Sequence, residues 1–229
     1  MSGRLLFLLL SSPGVLGGCL YTPDANGHVT VPDGVERLED YAFYECTSLV
    51  SITLPDSLTS LGYAAFVRCI SLVSTTLPDG LTSLGHRAFQ GCTSLVSITL
   101  PDGLTSLGDA AFQYCSSLVS ITLPDGLTSL DRDAFHGCTS LVSITLPDGL
   151  ISLGDYAFYD CTSLALVYVP TGCSVGFWAF EGTAGGYAYA PLPPPYPPGL
   201  SPPLELLAQL LNRLVARRDL PLALRLLGL

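Results

Sequence analysis

The stretch Val96 to Leu118, VSITLPDGLTSLGDAAFQYCSSL, returns in nearly the same form before and after itself. Its Ala-Phe pair sets the register: Phe43, Phe66, Phe89, Phe112, Phe135 and Phe158 follow one another at intervals of 23 residues, and Phe180 comes one residue early. Units this short cannot bury an apolar face alone and must stack on neighbours, so a fixed period in the twenties predicts a solenoid. Without the repeat, 229 residues at 48% hydrophobic content would read as an ordinary globular chain of one or two domains.

Within the unit each position has a local requirement. Ile98 and Leu100 alternate with Ser97 and Thr99, which in a short strand puts the aliphatics inside and the hydroxyls outside. Pro101-Asp102-Gly103 ends the strand: Pro presets φ, Asp bonds a backbone N–H further on, and Gly tolerates φ above zero. Leu104 and Leu107 point inward from a second extended piece, Gly108 permits a bend, and Asp109 is expected to cap a single helical turn through Ala110, Ala111 and Phe112. Cys115 and Leu118 close the coil. Stacking brings like residues together at about 4.8 Å per repeat, and each buried Leu, Ile or Phe contributes about 1.5–3 kcal/mol. The columns vary conservatively, with Ser57 for the turn Gly, Ile70 for Thr or Ser, and Asp131 for the bend Gly. Thr75 in place of Ile is the expected weak point.

The succession of apolar strand, Leu-Pro-Asp-Gly, Leu-Thr-Ser-Leu-Gly, Ala-Phe and Cys-Thr-Ser-Leu resembles the BspA-like class of leucine-rich repeats over residues 28–182. The resemblance implies an α/β repeat: a right-handed leucine-rich-repeat solenoid with a parallel β-sheet on one face, opposite the short helical turns. It also implies membership of a group that contains surface adhesins and antigens binding host or matrix proteins. No catalytic residue comes with that family.

Charged residues make up 12% of the chain, the formal net charge is −10, and Lys is absent. Fifteen carboxylates between residues 31 and 164 face only Arg37, Arg68, Arg87 and Arg132. Nucleic-acid binding needs clustered cations, so that class of partner is excluded. At the N-terminus Arg4 precedes an apolar run from Leu5 to Leu10 and then small residues, the layout of a secretory signal. Leu16-Gly17-Gly18-Cys19 resembles a bacterial lipoprotein box in which Cys19 carries the lipid, and a ragged gene start over residues 1–27 is the third reading. The expected location is secreted or cell-surface, or cytoplasmic if this segment is not a signal.

Residues 28–182 hold six repeats and a degenerate terminal one, in which Thr171-Gly172-Cys173 departs from the turn pattern. Residues 183–203 read as a proline-rich linker, with Pro191 to Pro198 extended as polyproline II and Pro193-Pro194-Pro195-Tyr196 matching the ligand motif of WW domains. Residues 204–229 read as an amphipathic helical tail, with Leu204, Leu207, Leu211 and Leu214 on an apolar stripe opposite Glu205, Gln209, Asn212 and Arg213. The tail either docks on the last coil or makes a basic contact with a membrane or partner.

Three columns are candidate sites. Cys46, Cys69, Cys92, Cys115, Cys138 and Cys161 read as small core thiols, with disulfides between neighbouring coils as the alternative. No Cys-x-x-Cys occurs and His28, His86 and His136 are scattered, so neither metal nor cofactor is expected. Asp33, Asp56, Asp79, Asp102, Asp125 and Asp148 read as turn residues, with a calcium-binding edge as the alternative. Ser51, Thr53, Ser74, Thr76, Ser97, Thr99, Ser120, Thr122, Ser143 and Thr145, ending in Tyr168, line the outward strand face and are the candidate ligand-binding residues. Small β-compatible hydroxyls are also what any exposed strand needs. No nucleophile with a base, carboxylate pair or phosphate loop stands above the repeat, so an enzyme is not expected. The chain reads as an adhesion module for a protein or glycan, with an inert self-associating array or an intracellular scaffold using the proline tract as alternatives.

Overall fold

The computed structural model describes residues 18–189. The signal segment before Gly18, the proline tract and the helical tail lie outside the described residues. Each coil contributes two short strands. The longer ones are His28–Thr30, Ser51–Thr53, Ser74–Thr76, Ser97–Thr99, Ser120–Thr122, Ser143–Thr145, Val167–Val169 and Tyr187–Tyr189. The shorter ones run from Arg37–Leu38 to Ser174–Val175, one per coil. All pairs are parallel and hold the 23-residue register, as in Ser74 to Ser97 and Leu107 to Leu130, except the last two, Ser152 to Ser174 and Val167 to Tyr187, which are shorter. The last pairing, Val167–Val169 with Tyr187–Tyr189, carries the ladder into residues that the sequence assigns to the linker. Where strand pairing lapses, single bonds bridge the coils: the Val119 N–H donates to the Val96 carbonyl, and the Ala165 N–H to that of Val142.

The expected helical turns are not formed: among the described residues there is no helix. Around each Phe the chain instead makes overlapping turns, closed by the Ala111, Gln113 and Cys115 N–H groups on the Gly108, Ala110 and Phe112 carbonyls. In all seven coils the residue two before the Phe and the residue two after it are left-handed, with φ between 50° and 77°. Eleven of these residues are not Gly, among them Tyr41, Ala110, Tyr114 and Asp160. The physical reason lies in the next coil. Alternating handedness turns every second N–H outward along the solenoid axis, so Ala110, Phe112 and Tyr114 donate to the Arg132, Ala134 and His136 carbonyls at 2.7–2.8 Å. A helical turn points its peptide groups along its own axis and forgoes this third ladder. The ladder offsets a strain of about 1–2 kcal/mol per left-handed side chain.

The sign of a glycine substitution tests this geometry. Asp160, exposed and at φ 54°, is expected to give a more stable protein as Asp160→Gly, by about 1 kcal/mol or a few degrees in Tm. A helical ridge would instead lose about 0.3 kcal/mol with the same change, because Gly is the poorer helix former. Thermal denaturation followed by circular dichroism reads the difference.

The core is a set of columns. Phe43, Phe66, Phe89, Phe112, Phe135, Phe158 and Phe180 stack with ring centroids 5.0–5.6 Å apart and planes within 16° of parallel. Tyr21 closes one end of the stack, 6.2 Å from Phe43, and Tyr187 the other, 4.7 Å from Phe180. The thiols of Cys69, Cys92, Cys115, Cys138 and Cys161 are buried, free, and donate to the Phe carbonyl 26 residues earlier at 3.0–3.2 Å. Burial pushes the Cys115 and Cys161 thiols up to about 12, which leaves them protonated and unreactive. Cys46 is the exception to the column: it is disulfide-bonded to Cys19, the residue that the lipoprotein reading would lipidate.

The glycines also serve differently from expectation. Gly103 in the Pro-Asp-Gly turn is not left-handed, and the Leu104 N–H closes that turn on the Pro101 carbonyl. The bend glycine is required by close approach: a Cβ on Gly154 would lie 2.5 Å from the Arg132 backbone N. Asp131 occupies this position in its own coil, where burial first and Asp109 second hold its carboxyl above the usual range.

Candidate ligand-binding face

The strand face brings the hydroxyl residues together as the repeat predicts. Ser51, Ser74 and Ser97 are paired in one row and Thr76 and Thr99 in the next; Ser120 and Ser143, and Thr122 and Thr145, continue both rows. All are exposed except Ser51, which is half-buried. Thr53 continues the Thr row, and Tyr168, exposed, lies on the Val167–Val169 strand. Two members of the rows were missed. His28 and Thr30 pair with Ser51 and Thr53, a placement that the 23-residue spacing already carries. The His28 Nδ1 lies 2.7 Å from Ser51 Oγ, and its Nε2 3.3 Å from the hydroxyls of Thr30 and Thr53. No carboxylate is among these ring partners, so the third member that activates a Ser-His pair is not among them.

Several hydroxyls outside the strand face are used by the fold. Thr105 and Thr128 donate to the Thr82 and Thr105 carbonyls, and Ser116 and Thr139 to those of Thr93 and Ser116. Those hydroxyls tie coil to coil. The eight from Ser74 to Thr145 on the strand face make no such bond among the described residues.

The face has two borders. Where the chain enters the strands, Val50, Val73, Val96, Val119 and Val142 form an aliphatic row, each 38–50% exposed, which ends at Ala165. Beyond the strands runs the Asp column, every member exposed. The expected turn bonds of these aspartates are not made: among the described residues none of the six carboxylates has a hydrogen bond or ion pair. Asp24 shows what that chemistry looks like, since the His28 and Asn26 backbone N–H groups hold its carboxyl below the usual range. The calcium alternative lacks its cluster as well, because among the described residues no three His, Cys, Asp or Glu are grouped as a metal ion needs.

Thr75 sits at the inward Ile position with its hydroxyl buried and unpaired. Such a group costs about 1–3 kcal/mol. Beside it the ladder keeps only the Ser51 to Ser74 pairing, and a shallow depression of about 460 Å³ opens on the face, bordered by Thr53, Asp56, Ser74, Thr76 and Thr99. The depression shows that Asp56 and the hydroxyl rows share one surface.

Residues 19–141 and 82–185 match the family profile described as BspA type leucine rich repeat region, in six copies. The chain belongs to this family. Solved structures similar to this BspA-type chain include bacterial leucine-rich-repeat proteins. One, a leucine rich repeat protein of T. pallidum, is 32% identical, with 75% of this chain and 88% of that one covered and a TM-score of 0.66. A leucine rich cell surface protein of Faecalibacterium prausnitzii A2-165 is 30% identical over 68% of this chain and 45% of its own, with a TM-score of 0.59. A leucine-rich repeat protein of Bacteroides ovatus is 28% identical over 72% and 51%, with a TM-score of 0.57. The BspA-type chain thus spans most of the treponemal protein and about half of the other two. Among curated proteins no sequence matches it.

Proposed function

We propose that this BspA-type chain is a non-enzymatic binding module, exported to the cell surface or beyond, that engages a protein or glycan ligand through its strand face. The observation that carries the reading is the pair of aligned hydroxyl rows on the strand face. Several hydroxyls on the flanks bond to the neighbouring coil, whereas the eight from Ser74 to Thr145 are exposed, in register and unengaged among the described residues. Hydroxyls that the fold does not use remain available to a ligand, and a rigid ladder holds them in fixed rows. Export is supported by the Cys19–Cys46 disulfide, which persists in oxidising compartments, and by the surface protein among the relatives.

The paired substitution Thr99→Glu and Thr122→Glu puts two carboxylates in the middle of the face at positions that point away from the core. Binding to immobilised matrix proteins and to a glycan array is expected to fall by at least about tenfold, an effect of about 1.4 kcal/mol, with circular dichroism and Tm unchanged. Undiminished binding by a folded double variant would remove the strand face from the function.

A further inference from the structure

We propose that the strand face docks a cationic amphipathic helix of a protein partner, laid along the solenoid axis with its apolar side on the aliphatic row and its Lys or Arg side over the Asp row. The inference rests on the strand-face reading and names the partner for it.

Three features of the surface select this occupant. The row from Val50 to Val142 runs through five successive coils, half-exposed in each, where neighbouring positions are either fully buried or polar. The Asp row runs parallel to it with no cation, donor or neighbouring coil to answer it among the described residues. Six like charges one coil apart repel one another, and the only cations within the array, Arg37, Arg68, Arg87 and Arg132, lie elsewhere: Arg37, Arg68 and Arg132 pair with Asp40, Glu45 and Asp133, and Arg87 lies over the Tyr63 ring. A partner that supplies cations along this edge relieves the repulsion, and one that also supplies an apolar face covers the aliphatic row.

Geometry favours a helix over an extended strand. The strand ladder repeats about every 4.8 Å, and an α-helix advances about 5.4 Å per turn. A helix parallel to the axis therefore offers one apolar and one cationic position to each coil in turn, and the mismatch adds up to about 3 Å over six coils, within the reach of a Lys or Arg side chain. The Asp of a coil lies six positions beyond its Val, at most about 20 Å of extended chain, a width that a helix of about 10–12 Å diameter spans with extended Lys or Arg side chains. The hydroxyl rows between the two borders carry no charge, so a helix crosses them without burying an unpaired ion. The depression beside Thr75 widens the floor midway between Thr53 and Thr99.

The test uses the full chain and a synthetic Leu/Lys amphipathic helical peptide of about six turns, followed by fluorescence anisotropy at low and high salt. Two control peptides replace Lys by Glu or scramble the order to abolish the apolar side. Saturable binding of the Leu/Lys peptide, weakened by salt, is expected. Asp79→Asn/Asp102→Asn/Asp125→Asn and Val73→Thr/Val96→Thr/Val119→Thr are each expected to weaken it by at least about tenfold. The control Glu39→Gln/Asp160→Asn/Glu181→Gln removes equal charge from the turn ridge and is expected to change the affinity by less than about twofold. Absence of saturable binding, equal binding of either control peptide, or an equal loss in the ridge variant overturns the inference. Its failure separates from failure of the broader reading: if Thr99→Glu/Thr122→Glu still abolishes matrix or glycan binding, the strand face stands and the cationic helix does not.

Discussion

Phe112→Ala is expected to cost about 3–5 kcal/mol, the range for truncating a fully buried aromatic, and to do so in a way particular to a stacked array. The Phe112 ring is wholly buried, 5.6 Å from Phe89 and 5.3 Å from Phe135. Removing it opens a void between two rings that cannot close, because three ladders hold the coils at their spacing. In a repeat protein, stability is close to a sum of units and nearest-neighbour interfaces. One substitution here damages two interfaces together, and unfolding is expected to split into separate transitions for the coils on either side. Urea denaturation followed by both far-ultraviolet circular dichroism and tyrosine fluorescence would show the split. A single transition with a loss below about 1 kcal/mol would mean that the Phe column is not the main support of the stack. Phe112→Leu, which fills most of the void, is expected to lose much less.

The second large effect concerns the N-terminal end. Opening the Cys19–Cys46 bridge, by reduction or by Cys19→Ala/Cys46→Ala, is expected to cost about 2–4 kcal/mol, the usual contribution of a disulfide that closes a loop of this length. The bridge anchors a short segment that also makes backbone bonds from the Gly18 N–H to the Tyr44 carbonyl and from the Leu20 N–H to that of Ala42. It also keeps Tyr21 over Phe43, where the first coil would meet water. The loss is expected to be local. Hydrogen exchange should rise over the first coils while protection beyond Phe89 is retained, since coils exchange stability only with neighbours. A Tm that does not respond to reductant would contradict this role.

Much of the fold was legible in the sequence because it is written in columns. A residue that recurs every 23 positions meets copies of itself, so burial of the Ile, Leu, Phe and Cys columns and exposure of the Ser and Thr rows follow from alternation alone. The same spacing extends the rows to His28 and Thr30. Thr75, the expected weak point, is the buried hydroxyl without a partner among the described residues, beside the place where the ladder narrows to the single Ser51 to Ser74 pairing.

The sequence by itself determined the period, the inward set and the outward hydroxyl rows of this chain, since each depends only on spacing and on which side chains avoid water. Only the tertiary structure decided the left-handed residues around each Phe, the Cys19–Cys46 bridge, the tyrosines that close the Phe stack and the unanswered Asp row. The reason is one of distance. A segment such as Asp109 to Phe112 has good local grounds for a helical turn, but its N–H groups answer to carbonyls 22 residues further on, and no local propensity registers a partner so far along the chain.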